Sequence, residues 1–172
     1  MKVAVVMGSE KDLPKMQGAV EVLDRFEVDH EVLVLSAHKD PDTTLAFAES
    51  AREEGFSVLI AGAGKAAHLA GLLAAKTTLP VIGVPVGAGP LAGWDSLLST
   101  VQMPTGVPVA TVGVDASANA ALLAVAILAL HDERLAKMLD EYRRELSTRS
   151  GVRNDPPAVR NSRKNGGEGV IG

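Results

Sequence analysis

Five short runs rich in Val, Ile, Leu and Ala recur along the chain: KVAVVMG (2–8), EVLVLS (31–36), FSVLIAG (56–62), PVIGVPV (80–86) and VPVATV (107–112). Each gap between them is long enough for a crossover connection. Such runs read as strands buried on both faces, and strands joined through helices pair in parallel. The pattern therefore implies an α/β chain, with helices on both sides of a central parallel sheet of about five strands. Within the gaps, Asp12 is placed to cap a helix that turns Leu13, Met16, Val20 and Leu23 to one side. Asp40 and Pro41 open the next helix, which is expected to stop at Gly55. A small-residue helix is expected from about Ala66 to Lys76. The 20-residue segment GAGPLAGWDSLLSTVQMPTG (87–106) is too long for a plain turn and reads as a loop with a short helix.

The last two helical segments differ in character. SANAALLAVAILAL (117–130) is apolar nearly all round and is expected to be buried. The segment 132–149 is amphipathic through Leu135, Met138, Leu139, Tyr142 and Leu146, with little core left to cover within one subunit. One of these two helices is expected to pack on a neighbouring copy. From Ser150 onward Gly, Asn, Pro, Arg and Lys dominate, which reads as a flexible C-terminal tail after a domain spanning 1–149.

Composition narrows the function. At 172 residues, 47% hydrophobic and 22% charged, the chain suits one domain with a large core. A net charge of −4 argues against a general nucleic-acid binder, and the absence of cysteine excludes a thiol nucleophile or a cysteine metal site. No apolar stretch is long enough to span a bilayer, and the N-terminal apolar run is too short for a signal peptide. A cytoplasmic location is expected.

Ligands of open parallel sheets bind beyond the carboxyl ends of the strands. Three strand ends run into unusual loops: MGSEKD, SAHKDP and AGAGKAAHLAG. In the first, Gly8, Ser9 and Asp12 suit an anion and a sugar hydroxyl, against the plainer reading of a helix cap. In the third, GAGKAA (62–67) matches a dinucleotide fingerprint, but no acid follows at the ribose spacing. It reads instead as a tight loop approaching a ligand, flanked by Lys65 and His68. In the second, His38 ends a strand beside a lysine. An imidazole titrates near neutrality and can both take and return a proton. Lys39 is placed to anchor phosphate. His30 and His131 lie in polar surroundings with no assigned role, and metal-ligand spacing is absent.

Together GSEKD, SAHKDPD, GAGKAAHLAG, PVIGVPV and DSLLSTVQMPTGVPVATV resemble the N(5)-carboxyaminoimidazole ribonucleotide mutases of the AIR carboxylase family, from Lys2 to about Arg149. The resemblance implies a flavodoxin-like three-layer fold in a homo-octamer. It implies purine biosynthesis, by conversion of N(5)-carboxyaminoimidazole ribonucleotide to 4-carboxy-5-aminoimidazole ribonucleotide without metal, ATP or organic cofactor. The partner is thus a small ribonucleotide, with no nucleic acid or membrane involved. By the same resemblance His38 is the general acid/base, Ser9 and Asp12 bind the phosphoribosyl part, Lys39 binds substrate, and His68 lies near the carboxylate. Gly8, Lys11, Ser36, Gly64 and Ala67 complete the expected contacts. Ala66, Ala67 and Leu69, with the QMPTG loop, are expected to close a pocket that retains carbon dioxide.

The chain departs from the family pattern at four places. Lys11 stands where the first loop usually has serine, Lys65 where the third has glycine, and Ala70 where it has proline. Lys39 replaces the arginine usual in mutases and resembles the branch that carboxylates aminoimidazole ribonucleotide directly. AAHLAG and LLSTVQMPTG resemble the mutase branch. The alternatives are therefore direct carboxylation and a non-catalytic nucleotide-binding paralogue. A flavin protein would want stacking aromatics beyond Trp94 and Tyr142. A phospho-receiver needs acids where Gly8, Ser9 and Gly62 stand.

Overall fold

The structure, a computed structural model, describes residues 1–149. The expected tail from Ser150 lies outside the described residues. In chain order the strands are β1 (Lys2–Met7), β2 (Asp29–Val34), β3 (Phe56–Gly64), β4 (Val81–Val86) and β5 (Ala110–Thr111). The helices are α1 (Leu13–Arg25), α2 (Pro41–Ser50), α3 (Leu69–Lys76), α4 (Trp94–Val101), α5 (Ser117–Leu128) and α6 (Glu133–Arg149). All pairings are parallel, in the order β2-β1-β3-β4-β5. Residues Met1–Leu139 form one compact unit; from Asp140 the helix α6 continues to Arg149.

The strand order explains the strand sequences. β1, β3 and β4 are interior, and Val3 to Met7 are fully buried, so both of their faces must be apolar. β2 is an edge and leaves Val32 and Val34 half exposed. Its bounds fall two residues earlier than EVLVLS suggests, because β1 sets the ladder: Lys2 pairs with Asp29 and Met7 with Val34. The Lys2 ammonium also pairs with Glu31. β5 shrinks to two residues. Pro108 has no N–H to donate, and the Val107 N–H closes a turn onto Pro104 instead.

Helices cover both faces of the sheet. On one side α2 and α3 bury Ala48, Leu69, Ala70 and Leu73 against Ala4, Val6, Leu59 and Ala61. On the other side α1 packs along α5, close enough that a Cβ on Gly18 would lie 3.1 Å from Ser117 Oγ. The buried face of α1 is Met16, Ala19 and Leu23; Leu13 is exposed and Val20 only half-buried. Asp40 caps α2 as expected, its Oδ1 accepting the Thr43 N–H at 3.2 Å. That helix ends at Ser50, and turns carry the chain to Gly55 at φ +85°.

Two helix expectations are corrected. α5 is buried on one face only, through Ala120, Ala121, Ala124, Val125 and Leu128, while Leu123 and Leu130 reach solvent. The start of α6 does cover core: Leu135 is fully buried, and Asp132 Oδ1 accepts the Arg134 and Leu135 N–H groups ahead of it. Of the apolar face read for this helix, Leu135 is used inside the unit, while Met138 and Leu139 are half-buried and Leu146 is exposed.

Candidate active site

Four strand ends meet at one cavity of about 470 Å³. β1 delivers Gly8 and Ser9, then a 3-10 turn over Glu10–Asp12. Ser9 Oγ accepts the Lys11 N–H at 3.3 Å, so its own hydroxyl proton stays available for a ligand. Asp12 precedes α1 but makes no cap bond, contrary to the helix-cap expectation, and its carboxylate faces the cavity. Burial pushes the Asp12 carboxyl above the usual carboxylate range. A sugar hydroxyl donating to it would repay the lost hydration.

β2 delivers Ser36, His38 and Lys39. Ser36 Oγ accepts the Lys39 N–H at 3.2 Å, and the Asp40 N–H bonds back to Ser36 O at 3.0 Å, so the turn is pinned before α2 begins. β3 delivers Gly64 and then Lys65, which sits at φ +56°. The Ala67 N–H reaches Lys65 O and the His68 N–H reaches Ala66 O. These tight bonds delay α3 until Leu69, three residues later than expected. They also separate GAGKAA from the helix that a dinucleotide fingerprint would require. The expected acid/base, His38, and the nine expected substrate contacts all line this cavity.

The loops of β2 and β3 are joined by their histidines. His38 Nε2 lies 2.7 Å from His68 Nδ1, with the rings edge to face. One nitrogen must donate and the other accept, so this contact cannot form with both rings cationic. The pair stands beside a wall of Ala63, Ala66, Ala67 and Leu69. The QMPTG loop does not line the cavity; Met103 packs instead over Gly71 of α3. Among the described residues no group of three or more His, Cys, Asp or Glu is placed to hold a metal. No described helix is long and apolar enough to cross a membrane.

Two charged positions, Lys15 and Asp115, escape the sequence reading. Lys15 lines the cavity one turn after Asp12, a spacing that could have flagged it. Its Nζ lies 2.6 Å from Asp115 Oδ2, and Asp115 Oδ1 accepts the Gly87 N–H at 2.8 Å. Nothing local marks Asp115, which is 100 residues away from Lys15. Burial alone would raise the Asp115 carboxyl. The hydrogen bonds from Lys15 and Gly87, and the lysine's charge, outweigh burial and hold it below the usual carboxylate range. A depressed carboxyl stabilises the fold above the ordinary carboxylate pKa and stops doing so as pH falls through its folded value. Asp115→Asn is therefore expected to lose up to about 1 kcal/mol at pH 7, since both partners are partly exposed. That deficit should shrink and then vanish as pH falls below the ordinary carboxylate range, through the lowered folded value of Asp115, as urea unfolding across pH would show.

The arrangement defines a class: a flavodoxin-like α/β protein whose strand ends gather lysines, hydroxyls and a histidine pair around a small-molecule pocket. The family model described as AIR carboxylase matches residues 2–149. An N5-carboxyaminoimidazole ribonucleotide mutase from Pyrococcus abyssi is 53% identical over 145 residues, covering 84% of this chain and 83% of that protein. The mutase of the same name from Bacillus subtilis is 56% identical over 143 residues, covering 82% and 88%. Among solved structures, Treponema denticola PurE aligns with a TM-score of 0.77 at 25% identity, covering 87% of this chain and 93% of that one. The chain belongs to the AIR carboxylase family.

Proposed function

We propose that this protein is an isomerase that converts N(5)-carboxyaminoimidazole ribonucleotide to 4-carboxy-5-aminoimidazole ribonucleotide in purine biosynthesis. The observation that carries this reading is the His38–His68 pair in a lysine-bearing cavity with an alanine-lined wall. Relatives named as mutases support it at 53% and 56% identity. The catalytic domain in this reading is residues 1–149, working in the cytoplasm.

The reaction moves one carboxyl group and one proton. His38 gives a proton to the exocyclic nitrogen as the N–carboxyl bond breaks and carbon dioxide forms. Ring carbon 4 attacks that carbon dioxide, and His38, now neutral, takes the proton from carbon 4. Atoms and charge balance, and the histidine ends as it began. His68 holds the imidazole by their shared hydrogen bond. Ser9, Ser36, Lys11 and Lys39 hold the phosphate, Asp12 accepts from the ribose, and the Gly8, Gly64 and Ala67 backbone lets the ring approach closely. Holding both fragments in place supplies much of the acceleration.

Formation of 4-carboxy-5-aminoimidazole ribonucleotide, followed by its ultraviolet absorbance, tests the reading. The expected result is rapid conversion of the N(5)-carboxy substrate and slow conversion of aminoimidazole ribonucleotide with bicarbonate. The reverse preference would assign direct carboxylation. Binding without turnover of either would assign a non-catalytic paralogue.

We also propose assembly as a homo-octamer. Exposed Trp94, Leu98 and Val101 recur at i, i+4 and i+7 along α4, and Leu91 lies beside them, an apolar stripe suited to a second copy. Light scattering on the purified full chain would read the subunit number directly.

A further inference from the structure

Lys65 carries a backbone conformation that only glycine adopts freely. Its φ is +56°, in the left-handed region, at the rim of the cavity. A non-glycine residue held there at a site points to a use for its side chain. The side chain crosses from the β3 loop toward the β4 loop: Cε lies 3.7 Å from where a Cβ on Gly89 would sit. It meets no acid. Of the four cavity lysines, Lys15 is paired with Asp115, while Lys11, Lys39 and Lys65 have no acidic partner among the described residues.

That leaves three uncompensated cations. The substrate of the proposed reaction carries two negative charges on its phosphate and one on its carboxylate. The cations divide by position. Lys11 and Lys39 stand on the β1 and β2 loops, each beside a serine hydroxyl free to donate. Lys65 stands on the β3 side, three residues before His68, whose ring meets the acid/base.

We propose that Lys65 is a specificity-determining residue that binds the migrating carboxylate, while Lys11 and Lys39 serve the phosphate. The inference rests on the mutase reading for the identity of the ligand, but binding tests it separately from turnover. A lysine here favours every carboxylated species over the bare aminoimidazole, so it raises affinity for substrate and product together. It also holds the free carboxyl fragment least, since carbon dioxide has no charge for it to grip.

The test compares full-length wild type with Lys65→Gly and Lys65→Gln by calorimetric titration. Two ligands are used: 4-carboxy-5-aminoimidazole ribonucleotide and aminoimidazole ribonucleotide, which differ only in the carboxylate. Both variants are expected to weaken the carboxylated ligand by about tenfold or more and the other by less than about twofold. Lys65→Gly relieves the backbone, so its thermal midpoint should equal or exceed that of wild type. Equal weakening of both ligands would place Lys65 on the phosphate and overturn the proposal, as would no weakening of either. A wild type that shows the discrimination but does not convert the N(5)-carboxy substrate would sink the mutase reading and leave the carboxylate contact standing. A wild type that binds neither ligand would overturn both.

Discussion

His38→Asn is expected to lower kcat by about 10²–10⁴-fold, with KM changed only a few-fold. The size follows from what the side chain does in the proposed cycle. The same imidazole gives a proton when carbon dioxide leaves and takes one when carbon 4 is rearomatised. Asparagine can still hydrogen-bond to His68, so the pair's geometry is partly kept, but it cannot carry a proton at neutral pH. His38 is exposed on the cavity rim, so the thermal midpoint should hardly move. Steady-state kinetics together with a thermal melt separates the two effects. Turnover within tenfold of wild type would mean that His68, 2.7 Å away, takes over the proton or that it carried it from the start.

The largest effect on stability is expected at Gly83, in the centre of β4. A Cβ there would collide with Thr100 Cγ2 of α4 and lie 3.0 Å from Val109 Cγ1 and 3.4 Å from Ala70 Cβ. None of these neighbours yields easily. Thr100 is β-branched, buried, and tied by its hydroxyl to Ser96 O at 2.7 Å. Ala70 belongs to α3, which carries the histidine loop at its start. Gly83→Ala should therefore cost about 1–3 kcal/mol, seen as a drop of several degrees in a thermal melt. Gly62→Ala is the informative control. Its Cβ would also collide, but with Met16 Sδ, the middle of an unbranched chain that can swing to another rotamer. If Gly62→Ala proved the worse of the two, the rigidity argument for Gly83 would be wrong.

How much of this was legible in sequence depends on whether a feature answers to near neighbours or distant ones. β1, β3 and β4 were visible because interior strands of a parallel sheet must be apolar on both faces. Asp40 and Pro41 announced α2 because a cap acts over three residues. The ends of β2 and β5 were not visible, since the partner strand and the missing N–H of Pro108 set them. The helix expected at Ala66 starts at Leu69 because Lys65 turns left-handed first, and lysine gives no local sign of that.

The site divides in the same way. The residue types that do chemistry were readable from the loops after three strands: a hydroxyl and a carboxylate after β1, a histidine and lysine after β2, a glycine-rich turn with a histidine after β3. Loop chemistry at strand ends is local, and the parallel order forces those ends onto one edge. Only the tertiary structure brought His38 to within hydrogen-bond reach of His68, and Asp115 to Lys15 across 100 residues. It also showed which cavity lysines have no acidic partner among the described residues. A sequence lists its charges; which of them cancel is settled by distances of 3–4 Å, and those belong to the packed sheet edge.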